Sequence, residues 1–498
     1  MPSLDDQRSS DEASTELIGR PTGGAGASRG PARASGDSSR DPAQAQNLTQ
    51  AITLRLRQPA KLRNLELLLL IVAAGICAGA IVLVQLGATG AIDASVLVAG
   101  SAVLGLGLIF HLVLRVVARE ADPFLLPIAL TLNGIGISMI YRIDLAYGRE
   151  GWAAFGIKQI AWTVMAMTIA LVALIVIRNY RVLSRYRYIA MFVSIALLLL
   201  PLIPGLGREG LNARVWIDIG PFSFQPGEIA KITLAIFFAG YLVTARDNLS
   251  LMGPKILGMR FPRARDLGPI LIVWVVAMGV LIFQRDLGTS LLYFGLFLVM
   301  IYIGTGRGSW IVLGLTMFLG GAIVASTFLG YVQGRFRAWL NPFDPTEYSA
   351  DGGSYQLVTG LFGFANGGLV GTGLGQGRPQ TTPLAESDYI FASLGEELGL
   401  AGIFAILALY LLLVSRGFRI GFVGQDDFGR MLGVGIAFVI ALQVFVVMGG
   451  VTRVIPLTGL TAPFMAAGGS SLVANWIIVA LLLRLSDSVR DQPRLVIG

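Results

Sequence analysis

Four carboxylates fall within one short segment, Pro383 to Gly399 (PLAESDYIFASLGEELG), where a long polar stretch runs into an apolar helix. Ionisable groups at a membrane boundary are candidates for chemistry, because charge there is costly to keep. Asp388 and Glu396 would stand about 12 Å apart on a helix rising 1.5 Å per residue. That is a weak basis for a glycosidase-like carboxylate pair. A single carboxylate acting as general base, Asp388, is the simpler chemistry.

Three further segments place polar groups at or near membrane depth. In residues 213–231 (ARVWIDIGPFSFQPGEIAK) a polar, aromatic loop enters a helix at Pro226, which suits a first helical turn. Glu228 and Lys231 then share a face at i and i+3, as an intrahelical ion pair or as functional charges. Each would cost about 2.5–3.5 kcal/mol unpaired at that depth. Residues 284–289 (QRDLGT) put Arg285 and Asp286 between two apolar runs, as a tight interfacial turn or as part of a site. The third is the long loop itself, with GRFRAWLNPFDP from Gly334 to Pro345 and a glycine-rich stretch from Gly360 to Gly377. The glycines permit close approach to a ligand or a helix. Arg335, Arg337 and Arg378 suit an anionic partner, with a lipid phosphate as the plainest candidate.

Several chemistries are excluded. No GxxxxGK[ST], HExxH or cysteine-rich metal spacing occurs, so ATP is not the direct driver. The GxGxxG match from Gly205 to Gly210 closes a membrane helix and lacks the strand and helix of a dinucleotide fold. His111 stands alone in an apolar run and is expected to be a packed histidine. Cys77 is the sole cysteine, so no disulfide framework exists.

The elements that must position these groups follow from hydropathy. Hydrophobic residues make up 54% of 498 positions and charged residues 14%, the composition of a polytopic membrane protein. Residues 1–60 are expected to be a disordered cytoplasmic tail. Apolar runs begin near Leu65, Ala94, Asp122, Ala153, Tyr188, Glu228, Pro269, Thr289, Ser309, Ala392, Arg430 and Gly468, which predicts an all-α protein of about twelve transmembrane helices. Arginines and lysines cluster in the loops around 178–187, 255–265 and 416–419. By the positive-inside rule those loops share the cytoplasmic side with both termini. The net charge of +8 therefore serves topology, and no nucleic-acid partner is implied. Residues 207–227 and the long loop 331–390 are expected to face outward.

Six ordered pieces, WIDIGPFSFQPGEIAK, QRDLGT, RFRAWLNPFDP, YQLVTGLFGFANGGLVGTGLGQG, SDYIFASLGEELGLAG and PLTGLTAPFMAAGGSSL, resemble the shape, elongation, division and sporulation (SEDS) family, typified by RodA and FtsW. The resemblance covers about residues 122–486. It implies a ten-helix glycosyltransferase core over that range, two additional N-terminal helices in 61–121, and a cytoplasmic C-terminus at 487–498. It further implies a peptidoglycan glycosyltransferase in a bacterial cytoplasmic (inner) membrane that polymerises lipid II into β-1,4 strands on the outer face. The family's essential aspartate maps onto Asp388, the general base. The implied substrate-binding set is Lys231, Glu228, Arg214, Trp216, Arg335, Arg337, Arg378, Gln356, Glu397, Ser470 and Ser471, with Arg453 as a further outer cation. A divalent cation (Mg or Mn) could assist the leaving pyrophosphate. The implied partners are lipid II, membrane lipids and a class B penicillin-binding protein for crosslinking. The wording PLAESDYIF leans toward the elongation type, closest to RodA, over the septal FtsW type.

The chain also departs from the family. Gly227 stands for the serine of QPSE, Arg285 for the proline of QPDLGT, and Ala466 and Ala467 for Ser and Tyr. The carboxylate before the aspartate, Glu386, has moved by two positions. A lipid II flippase and a scaffold without chemistry are the competing classes, and a scaffold would tolerate Asp388→Asn.

Overall fold

The computed structural model describes residues 42–490 except 211–212, 220–221, 251–254, 257–258, 261–267, 351 and 425. The expected N-terminal tail up to residue 41 and the last eight residues of the expected C-terminal segment lie outside these. The chain divides into residues 1–54 and 55–498, and the candidate site with the helices that hold it lies in the second unit.

Sixteen helices are described: α1 (Pro42–Thr89), α2 (Ala94–Val117), α3 (Leu125–Tyr147), α4 (Phe155–Val176), α5 (Val182–Arg185), α6 (Arg187–Leu199), α7 (Pro226–Ser250), α8 (Gly268–Gly279), α9 (Leu287–Thr305), α10 (Gly308–Phe328), α11 (Gly330–Leu340), α12 (Pro345–Ser349), α13 (Tyr355–Gly367), α14 (Ile390–Val423), α15 (Asp427–Val451) and α16 (Gly469–Arg490). Ten are long and apolar enough to cross a membrane: α1 from Lys61, α2, α3, α4, α7, α9, α10, α14, α15 and α16. The two remaining apolar runs form α6, continued to Leu202, and α8, continued through a π-helical turn at Val280–Gln284. Twelve hydropathy runs thus become ten spanning helices and two shorter ones. The protein is a multi-pass membrane protein. Helix α1 begins at Pro42, inside the stretch expected to be disordered, because Ala, Gln, Leu and Arg there are good helix formers.

The core lies where α3, α7, α9, α14, α15 and α16 meet, and it buries Trp310, Trp476, Tyr410 and Phe464. Small residues let these helices close up: Gly136 backs onto Met465, and Gly421 onto Gly433. By contrast, α10 exposes Leu315, Leu319, Ile323 and Phe328, as a lipid-facing helix should. At the end away from Asp388, Arg490 and Arg416 reach Asp122 at 2.8 and 3.8 Å, and Arg181 reaches Asp426 at 3.4 Å.

Two features were invisible to hydropathy. First, residues 207–224 fold into a small antiparallel sheet, β1 (Gly207–Gly210), β2 (Ala213–Ile219) and β3 (Phe222–Phe224), ordered β1-β2-β3 with Trp216 opposite Arg208 and Ile217 opposite Phe224. The GxGxxG match covers the turn before β1 and β1 itself, and β2 follows it where a dinucleotide fold would place a helix. A two-stranded hairpin, β4 (Lys255–Ile256) and β5 (Met259–Arg260), lies between α7 and α8.

Second, the stretch expected as an outer loop at 331–390 contains α11, α12 and α13, and its glycine-rich part runs back alongside α14. Gly399 breaks α14 with φ 66° and ψ −173°, a conformation open to glycine. The backbone groups freed there pair with the glycine loop. Thr372 and Gly373 N–H donate to the carbonyls of Glu396 and Glu397, both at 3.0 Å. Leu400 and Ala401 N–H donate to Gly368 and Leu369 at 2.9 and 3.0 Å. Leu400 stands about 15 Å along α14 at 1.5 Å per residue, so the loop re-enters to that depth. Irregular backbone survives beside an apolar helix only when so paired.

Arg285, between the π turn and α9, has φ 57° and ψ 36°. Proline cannot adopt that φ, so this turn follows a path closed to the residue that the family carries there. Arg285→Pro is expected to lower the thermal midpoint in detergent, whereas Arg285→Gly relieves the left-handed penalty of about 1–2 kcal/mol and does not lower it. A differential melt of the two variants checks this.

Candidate active site

Asp388 is half-buried and lies just before α14. The turn carrying it is fixed by short-range bonds, with Ser387 and Tyr389 N–H donating to Leu384 O at 3.1 and 3.3 Å. Tertiary contacts hold the same turn. Gln356 Nε2 donates to Pro383 O at 3.2 Å, Ala467 N–H to Glu386 O at 2.8 Å, and Arg149 Nη1 reaches Glu386 Oε1 at 3.4 Å.

Arg335 from α11 and Gly459 from the segment between α15 and α16 converge on Asp388. A Cβ placed on Gly459 would lie 3.8 Å from both Arg335 Nη2 and Asp388 Oδ2. Arg335 is oriented by Nη1 donating to Leu457 O at 2.6 Å. Asp286 is the third charge of the cluster. It caps α9, accepting from Thr289 N–H at 2.9 Å and from Thr289 Oγ1 at 2.5 Å. Burial pushes the Asp388 carboxyl up to about 6, the neighbouring Asp286 and Glu386 reinforce this, and Arg335 and Ser387 oppose it. Asp286 is also raised, first by burial.

Behind this cluster lies a buried polar network. Lys231 Nζ donates to Glu228 Oε2 at 2.5 Å, Gln443 Oε1 at 2.9 Å and Asn475 Oδ1 at 3.4 Å. Gln443 Nε2 continues to Thr461 O at 2.9 Å, and Asn475 Nδ2 to Ser471 Oγ at 3.2 Å. Ser470 Oγ accepts from Gln225 N–H at 2.8 Å. Glu228 and Lys231 are therefore an ion pair and also part of the wall beside Asp286, which lies within the electrostatic reach of Glu228.

The other residues singled out in the sequence stand apart from Asp388. Glu397 is occupied by Arg142 Nε at 2.9 Å and Gly375 N–H at 2.8 Å. Arg337 is exposed and pairs with Glu347 at 2.8 Å. Arg378 and Arg214 are exposed and Trp216 is half-buried. Arg453 donates to the carbonyls of Trp339 and Leu340 at 2.8 and 2.9 Å. The alanines 466 and 467 act through backbone only: Gln159 Nε2 donates to Ala466 O at 3.0 Å, and Ala467 N–H reaches Glu386 O. Sequence reasoning did not pair Asp286 with Asp388, nor single out Arg142 or Gly459. The one available signal was Arg142, a charge within an otherwise apolar run that it shares only with Asp144. Among the described residues, no group of three or more His, Cys, Asp or Glu is placed to hold a metal ion.

An apolar cavity of about 440 Å³ opens next to the cluster, lined by Leu287 and Ser290 of α9, Val332 and Phe336 of α11, and Ile455 and Thr458. These residues flank Asp286, Arg335 and Gly459 in sequence. The arrangement therefore sets an apolar compartment beside the residues next to Asp286, Arg335 and Gly459.

Residues 123–491 match the family model described as cell cycle protein, FtsW/RodA/SpoVE. The peptidoglycan glycosyltransferase RodA of Mycobacterium tuberculosis is 43% identical over 89% of this chain and 96% of its own length. The probable peptidoglycan glycosyltransferase FtsW of Trichlorobacter lovleyi is 32% identical over 75% of this chain and 95% of its own. A solved chain from work on the structural coordination of polymerization and crosslinking by a peptidoglycan synthase complex superposes with TM-score 0.57 at 24% identity, over 75% of this chain and 99% of that one, and shares the fold. With the family model matched over most of its length and relatives of this similarity, the chain belongs to the SEDS family, the FtsW/RodA/SpoVE cell cycle proteins, and is RodA-like.

Proposed function

We propose that this chain is a RodA-type peptidoglycan glycosyltransferase that polymerises lipid II on the outer face of the cytoplasmic membrane, with Asp388 as general base. The observation that carries this is the meeting of Asp388, Arg335 and Asp286 beside an apolar cavity. The apolar lining suits part of a polyprenyl chain, whose pyrophosphate would then lie near the guanidinium. Greater similarity to RodA than to FtsW relatives, 43% against 32% identity, favours the elongation role.

Asp388 takes the proton of the acceptor sugar's 4-hydroxyl as that oxygen attacks the donor's anomeric carbon. The bond from that carbon to the pyrophosphate oxygen breaks, the pyrophosphate leaves with the electron pair, and the carbon inverts to a β-1,4 linkage. A carboxylate near 6 is a better match to a neutral working pH than one near 4, and a positioned base contributes about 10²–10⁴-fold. Arg335 stabilises charge developing on the leaving group. A divalent cation of the magnesium kind is held by one or two carboxylates together with substrate phosphates. Such a cation would be carried chiefly by the substrate's phosphates, leaving Asp388 free as the base, and it would neutralise pyrophosphate charge. The Asp388 end then faces outward and the arginine-rich end with both termini faces the cytoplasm, in keeping with the positive-inside rule. A class B penicillin-binding protein supplies crosslinking.

The broken helix at Gly399 and the buried charges also suit a transporter, and one experiment separates the two. Purified protein with lipid II is expected to give glycan polymer, with a rate that rises with pH through about 6. Below that pH the base is protonated and idle. Asp286→Asn removes a negative neighbour that holds Asp388 up, so the rising limb should move to lower pH. Lipid II scrambling in liposomes without polymer would overturn the assignment.

A further inference from the structure

The α1–α2 hairpin precedes the family match, which begins at residue 123. A continuous match over 89% of the chain, as with the mycobacterial relative, reaches through the hairpin, whereas one over 75% need not. Its place in the structure is specific. Helix α1 lies along α3 and is pinned at both ends. At the end away from Asp388, Arg63 donates to Ala121 O and pairs with Glu66 at 2.5 Å. Glu66 accepts from His111 Nδ1 at 2.6 Å, and Arg115 Nε donates to His111 Nε2 at 3.0 Å. The histidine, between Glu66 and Arg115, ties α2 to α1. Midway, Cys77 packs so closely on Gly134 that a side chain there would collide with its sulfur.

At the Asp388 end α1 grips the glycine loop. Gln376 Nε2 donates to Gly87 O at 2.7 Å. A Cβ on Gly87 would run into the carbonyl of Leu374, and one on Gly375 would meet the α1 backbone at Val84, Gly87 and Ala88. From the other side the same loop is held by Glu397, which accepts from Gly375 N–H at 2.8 Å, and by Arg142, which donates to Gly377 O at 2.7 Å. The chain then continues through Arg378 into the turn that carries Asp388.

We propose that Gly87 and Gln376 are positioning residues for polymerisation. Helix α1 is a strut of about 36 Å from Arg63 to Gly87, at 1.5 Å per residue. Fixed to the core at its far end, it holds the glycine loop, and through it the Asp388 turn, in working geometry. The catalytic consequence rests on the function proposed above, while the clamp itself can be read without it.

The test uses the full-length protein with Gln376→Glu, which keeps the size of the side chain but cannot donate to Gly87 O, and Gly87→Leu. In both, hydrogen exchange at the amides of Thr372, Gly373 and Gly375 is expected to accelerate about tenfold, the worth of one ordinary hydrogen bond. The kcat for lipid II polymerisation should fall at least about tenfold, as for a reacting group displaced by a fraction of an ångström, with KM within about twofold and exchange in α15 unchanged. Should Gly87→Leu fail to fold, Gln376→Glu alone decides. Unchanged loop exchange overturns the clamp. Faster loop exchange with unchanged kcat overturns the positioning role. If Asp388→Asn proves fully active, the function proposed above fails while the exchange result still stands.

Discussion

Replacing Asp388 by asparagine should reduce glycan formation from lipid II by about 10²–10⁴-fold while leaving the protein folded. Asparagine matches the carboxylate in size and can accept a hydrogen bond, but it cannot take the proton of an attacking hydroxyl. A melting curve separates this from misfolding, and its sign is fixed by linkage. The carboxyl is raised from 3.8 to about 6, so the fold favours the protonated form. The stability that this gives is fully present below pH 3.8 and is lost as pH rises through about 6. At pH 7.5 Asp388→Asn should therefore melt at or above the wild type, and the gap should close at pH 4. A dead and destabilised variant would instead make Asp388 a structural residue.

The second large effect is on stability. Lys231→Met should destabilise the protein by about 3–5 kcal/mol, because it leaves Glu228 buried and without its counter-charge. Lys231 is 1% exposed and Glu228 5%, so water cannot take over. The double variant Glu228→Gln/Lys231→Met should recover much of that loss, since removing both charges removes the uncompensated one. Melts of the two singles and the double form a cycle. A double variant no better than Lys231→Met would show that the contacts of Lys231 with Gln443 and Asn475, not its charge, carry the effect. Activity should stay low in the double variant if the pair also shapes the wall beside Asp286.

Much of this protein was legible because membrane insertion is a one-dimensional problem. Twelve apolar runs gave the helices, and a carboxylate at the mouth of one gave Asp388. Glu228 and Lys231 were readable as a pair because three residues on a helix is a fixed geometry. Glu397 shows the limit. Its neighbourhood in sequence is that of Asp388, yet its partners, Arg142 and Gly375, come from other elements and turn it into a staple for the glycine loop. The course of the glycine-rich stretch stayed hidden for a related reason. Gly368 and Leu369 pair with backbone that only the kink at Gly399 sets free, and periodicity carries no trace of such a bond.

Sequence alone therefore determined what a membrane imposes on each segment separately: the apolar spans, the scarcity of charge, and the positions where charge persists. Tertiary structure decided what those charges do. Asp286, Arg335, Asp388 and Gly459 are brought together by the packing of α9, α11, α14 and the segment before α16. Helix packing is settled by side chains far apart in the chain. The raised carboxyl of Asp388, the apolar cavity beside it and the strut formed by α1 all arise from that packing, because burial and electrostatic neighbours exist only once the helices have met.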